Sequence, residues 1–125
     1  DHPGDVAGLI LVATGPGFRK VEARVQWNES VRAAADGMDL PPGAEEISMH
    51  HDAHVIDHLA EVRVPVLVLL GERDKRFAAS AALFERDLDV RESVVVADMG
   101  HMVHVKAPGR CAGAVRRFMA GLADG

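Results

Sequence analysis

The chain has 125 residues, of which 48% are apolar and 26% charged, with a formal net charge of −5. That length admits one domain with a real core, and apolar runs such as VPVLVLL and GLILVA are far too short to cross a bilayer. The acidic balance and scattered arginines form no basic stripe for phosphates, so nucleic acid and membranes are not expected partners; small molecules are.

In chain order, Gly8 to Ala13, Val64 to Leu70 and Ser93 to Ala97 are short Val, Ile and Leu-rich runs of the kind found in strands covered on both faces. Between the first two, residues 19–59 break the rhythm. Trp27, Val31, Ala34 and Met38 recur at helical spacing, DLPPGAEE interrupts them, and a second helical segment is expected from about Glu45 to Glu61. This stretch reads as an inserted lid. Phe77, Ala81, Phe84 and Leu88 mark an amphipathic helix after the second strand. Cys111, Val115, Phe118, Met119 and Leu122, entered through Pro108, mark another after the third. Strands alternating with helices imply a parallel sheet with ligands beyond the carboxyl ends of its strands. The expected fold class is therefore α/β, a parallel sheet of about three strands with flanking helices and a helical insertion, spanning residues 1–125 as one domain.

Two residues stand where such a sheet assembles chemistry. Asp74 closes GERD at the end of the second strand, and His101 lies in DMGHMVHVKAP just beyond the third. A histidine base needs a carboxylate on one ring nitrogen to fix its tautomer and stabilise the imidazolium, and adjacent parallel strands supply such a pair. The plainer alternative has Asp74 capping the next helix and His101 filling a turn after Gly100. Glu72 and Asp98 are weaker candidates for the acid. None of Ser30, Ser48, Ser80 and Ser93 lies in a G-x-S-x-G turn, and Cys111 falls on the apolar stripe of the last helix as a structural thiol.

HPGDVAGLILVAT, EVRVPVLVLLGERD and DMGHMVHVKAPGR, in this order and spacing, resemble the carboxyl-terminal portion of the α/β-hydrolase family. The resemblance covers nearly the whole chain. It implies a partial α/β-hydrolase fold in which Asp74 is the triad acid, His101 the base, and residues 19–59 the helical cap that selects substrates. It further implies that the nucleophile elbow, the oxyanion loop and the first strands precede residue 1. The expected activity of the complete form is hydrolysis of a small ester, lactone, amide or carbon–carbon bond, with no cofactor and no metal. The chain alone is expected to be inactive. The competing expectation is a non-catalytic binding or assembly module derived from a truncated hydrolase.

Other features are assigned on the same footing. Phe18 and Trp27 in the lid are either core or substrate contacts; Met102 and His104 either shape the wall beside His101 or pack at the helix entrance. His51, His54 and His58 have helical spacing, but an exposed polar face accounts for them without a metal. ATGPGFRK fails as a dinucleotide loop because Lys20 occupies the third glycine position. One cysteine and the lack of an opening signal peptide point to the cytoplasm. The strand at Gly8 to Ala13 is expected to present an unpaired edge, to be met by the upstream half of the fold or a second copy of the chain.

Overall fold

The computed structural model describes residues 2–124; residues 1 and 125, the ends of the expected domain, lie outside the described residues. It contains β1 (Leu9–Val12), α1 (Val21–Ala35), a single turn α2 (His54–Asp57), β2 (Val66–Gly71), α3 (Lys75–Asp87), β3 (Val90–Val96), the short α4 (Val103–Lys106) and α5 (Pro108–Asp124). Short 3-10 turns at Pro3–Asp5, Ala44–Ser48 and Leu59–Glu61 complete it. The chain divides into two compact units, one running up to Gly15 and resuming at Ala60, the other formed by Pro16–Leu59.

The first unit holds a three-stranded parallel sheet in the order β1-β2-β3. As the middle strand, β2 is buried at every position, Val66 to Gly71. Its side chains alternate between faces. Leu67 and Leu69 join Val96, Val103, Cys111, Ala114 and Phe118 in one cluster, roofed by α4 and α5. The alternate set, Val66, Val68 and Leu70, is equally buried, and α3 packs against β2 through a helix whose buried residues are Ala81 and Phe84. Parallel strands with helices on their faces are the expected α/β arrangement.

The edge strands depart from the expectation of cover on both faces. In β3, Arg91, Ser93 and Val95 are exposed while Val96 is buried, and β1 leaves Ile10 exposed. An edge strand loses one line of neighbours, so polar residues are tolerated at its outward positions. Polar residues also hide the start of β3, which begins at Val90 rather than Ser93. A register shift lies between the Val66–Val90 and Leu67–Glu92 pairs. There the exposed Arg91 guanidinium bonds Asp89 at 2.8 Å and holds its carboxyl below the usual carboxylate range; in open solvent this adds little to stability.

In the second unit, α1 carries Trp27, Val31 and Ala34 of the expected stripe but ends at Ala35, leaving Met38 exposed beyond it, and the continuous helix over Glu45 to Glu61 does not form. Side chains intervene. Asn28 takes the backbone of His50 in both directions, accepting from its N–H at 2.8 Å and donating to its carbonyl at 2.7 Å, and Asp52 accepts the N–H of His54 at 2.9 Å. Met49 is left extended, and helix resumes only for the turn α2 and the 3-10 turn at Leu59–Glu61. Competition of Asn and Asp side chains for backbone partners is the cause.

Candidate active site

Two turns beyond the strand ends build the site. Gly71 ends β2, and the turn through Glu72 and Arg73 closes with the Asp74 N–H donating to the Gly71 carbonyl at 3.0 Å. The turn after β3 folds onto it. Glu72 N–H donates to the Val96 carbonyl at 3.0 Å and Arg73 N–H to the Met99 carbonyl at 2.9 Å. Glu72 and Asp98, the weaker acid candidates, complete this lacing: the Glu72 carboxylate accepts the Asp98 N–H at 3.2 Å, and Asp98 accepts from Arg73 at 3.1 Å. Asp98 adopts φ 63°, a left-handed conformation that aspartate accepts more readily than most residues.

The laced turns carry Asp74 to His101. Their side chains meet at 2.9 Å, His101 Nδ1 to Asp74 Oδ2. A carboxylate only accepts, so Nδ1 carries the proton and Nε2 of the neutral ring is the free base. Burial is asymmetric: the Asp74 side chain is 4% exposed and that of His101 54%. Asp74 does stand at the N-cap position of α3, yet its side chain makes no capping hydrogen bond; the carboxylate is committed to the imidazole instead. The face of Phe77 stacks on the His101 ring, centroids 5.1 Å apart and planes 21° from parallel. Among the described residues, none hydrogen-bonds Nε2. Ser30 bonds the Trp27 carbonyl, Ser93 bonds Glu85, and buried Cys111 faces the Val103 carbonyl.

The remaining expected residues fall as follows. Met102, 48% exposed, and His104, also exposed, follow His101 into and along α4, whereas Val103 between them is wholly buried in the core. In the Pro16–Leu59 unit, Phe18 and Trp27 come together at 5.6 Å, and both meet His50, at 5.7 and 6.0 Å respectively. Trp27 Nε1 also donates to the Ser48 carbonyl at 2.7 Å. His50 has no periodicity or motif that marks it in the sequence; its place comes from Asn28. The three histidines at helical spacing diverge: His51 bonds Glu46, while His54 and His58 stack at 4.2 Å. Among the described residues, no group of three or more His, Cys, Asp or Glu is placed to hold a metal ion, and no helix is long and apolar enough to cross a membrane.

At the exit of β1, buried Ala13 has φ 46° while its N–H still donates to the Leu69 carbonyl at 2.9 Å. A β-branched residue fits such a conformation poorly. Ala13→Val is expected to destabilise the chain by roughly 2–3 kcal/mol and Ala13→Gly to be tolerated. Equal urea midpoints for the two variants would contradict this.

No family model matches the sequence, and no curated protein matches it. Solved structures do resemble the fold. MenH from S. aureus superposes with a TM-score of 0.72 at 17% identity, over 94% of this chain and 60% of that one. Carboxylesterase CesB (YbfK) from Bacillus subtilis gives 0.62 at 16% identity, over 95% and 53%. VinJ gives 0.58 at 16% identity, over 93% and 58%. The chain thus spans between half and two thirds of each of these three structures. All three are α/β-hydrolases, and the chain is built on part of the α/β-hydrolase fold.

Proposed function

We propose that this chain supplies the acid and the base of a hydrolase triad acting on a small ester, lactone, amide or carbon–carbon bond. The observation that carries the reading is a buried carboxylate holding Nδ1 of an otherwise exposed histidine, with Nε2 uncommitted. In the proposed reaction, a hydroxyl or thiol nucleophile from outside these residues attacks the substrate carbonyl as Nε2 of His101 takes its proton. The imidazolium, stabilised by Asp74, returns that proton to the leaving group. A water deprotonated by the same nitrogen then releases the acyl product. Met102 and His104 serve as contacts beside the base; no cofactor takes part.

The test is turnover of an activated aryl ester by the polypeptide that joins this chain to its upstream sequence, compared with the 125-residue chain and with free imidazole. The joined polypeptide should show a burst and stoichiometric labelling by a serine- or cysteine-directed reagent upstream of residue 1. The chain alone should match imidazole. Labelling of Ser80 or Ser30 with loss of activity on substitution would place the nucleophile within the chain and overturn the assignment of roles.

One observation favours a second reading, that of an assembly module. β1 is an outer strand whose free edge carries the exposed Ile10, and such edges recruit another strand, from the upstream half or a second copy. A stable monomer at high micromolar concentration by sedimentation would count against it.

A further inference from the structure

We infer that Phe77 is a positioning residue for His101, whose stacked ring sets the plane of the imidazole and so the direction of Nε2. The inference rests on the reading of His101 as a base.

The His101 side chain turns about two torsions, and its bond to Asp74 constrains one point of the ring. With the side chain 54% exposed, close packing does not supply the second constraint. Phe77 does. Its face lies 21° from parallel to the imidazole at 5.1 Å, within the range of favourable ring pairs. Once Nδ1 is tied and the plane is set, Nε2 has one direction.

Phe77 is itself held. It stands in the first turn of α3, three residues after Asp74, so acid and ring travel on one rigid element. On the β1 side it is backed by Gly15, where an added Cβ would lie 3.6 Å from Phe77 Cδ1 and 2.7 Å from Ser80 Oγ. The absence of a side chain at Gly15 lets the start of α3 come this close. A ring free to swing could not orient another; this one is seated between the loop after β1 and the histidine.

The experiment reads the tautomer of His101 by long-range proton–nitrogen NMR of the neutral ring, which requires no turnover. Failure of the base assignment is therefore seen separately, in the ester assay. Phe77→Leu keeps apolar bulk and removes the flat face; Phe77→Tyr keeps the face. Phe84→Leu removes a buried ring from the same helix, 3% exposed, as a lesion of similar size away from the pair. Because a ring free to swing spends time away from the Asp74 carboxylate that holds the Nδ1 proton, the ratio of Nδ1–H to Nε2–H tautomer should fall roughly two- to tenfold in Phe77→Leu, the range set by the strength of aromatic pairs, and stay as in the parent in Phe77→Tyr and Phe84→Leu. An unchanged ratio in Phe77→Leu, or an equal fall in Phe84→Leu, would overturn the inference.

Discussion

Asp74→Asn is expected, on the triad proposed above, to lower kcat by about 10⁴ in a polypeptide that joins this chain to an upstream nucleophile, and to leave the melting temperature nearly unchanged. The size follows from the tautomer. Asp74 lies 2.9 Å from Nδ1 and, as a carboxylate, obliges that nitrogen to carry the proton. An asparagine amide occupies the same volume but can donate from its nitrogen, which places the imidazole proton on Nε2 and removes the base. It also withdraws the charge that balances the imidazolium. His101→Ala should lose as much, and Glu72→Gln should lose little, because Glu72 accepts a backbone N–H of the neighbouring turn and not the imidazole. A fall of less than tenfold in Asp74→Asn would exclude Asp74 as the orienting acid.

Gly71→Ala is expected to be the most damaging small substitution, costing about 3 kcal/mol in urea unfolding. A Cβ at this position would run into the backbone carbonyl oxygens of Met99 and Gly100 and lie 2.7 Å from the Met99 carbonyl carbon. Those are backbone atoms, tied by the Arg73–Met99 bond, so no rotamer change makes room. The same turn presents His101, and the NMR signature of its bonded Nδ1 should be lost together with stability. Gly121→Ala is the matched comparison. Its added Cβ meets nothing within 4 Å, and in the last turn of α5 it should be neutral or gain up to about 0.5 kcal/mol. If Gly71→Ala unfolded within about 0.5 kcal/mol of the parent, below the usual cost of overpacking, the two turns would not be in contact.

The parts legible in the sequence are those where one physical cue acts alone. VPVLVLL is apolar without interruption because β2 is the middle strand, and the meeting of Asp74 with His101 is readable because the turns beyond adjacent parallel strands lie side by side. Legibility fails where tertiary partners decide. The start of β3 is hidden by Arg91 and Ser93, residues an edge strand can turn to solvent. The helix expected through Glu45 to Glu61 yields to Asn28, more than twenty residues distant in the chain. Phe77 reads only as the first member of an apolar stripe, since nothing local says that a histidine will lie against it. Gly71 looks like an ordinary strand-end glycine until the Met99–Gly100 backbone is brought against it.

The strand order also sets the order of assembly. Joining β2 to β3 closes a connection of roughly eighteen residues that is mostly the helix α3, whereas joining β1 to β2 closes one of roughly fifty, which contains the whole Pro16–Leu59 unit. The longer closure costs about 1 kcal/mol more chain entropy before any hydrogen bond forms. It is also rewarded less, because β1 contributes four residues on an outer edge. The β2–α3–β3 crossover is therefore expected to form first, and β1 to be added late and released first. Amide hydrogens of Ile10 to Val12 should exchange through openings that leave those of Leu67 to Leu70 protected, so the strand leading into the Pro16–Leu59 unit is also the one that thermal fluctuation frees.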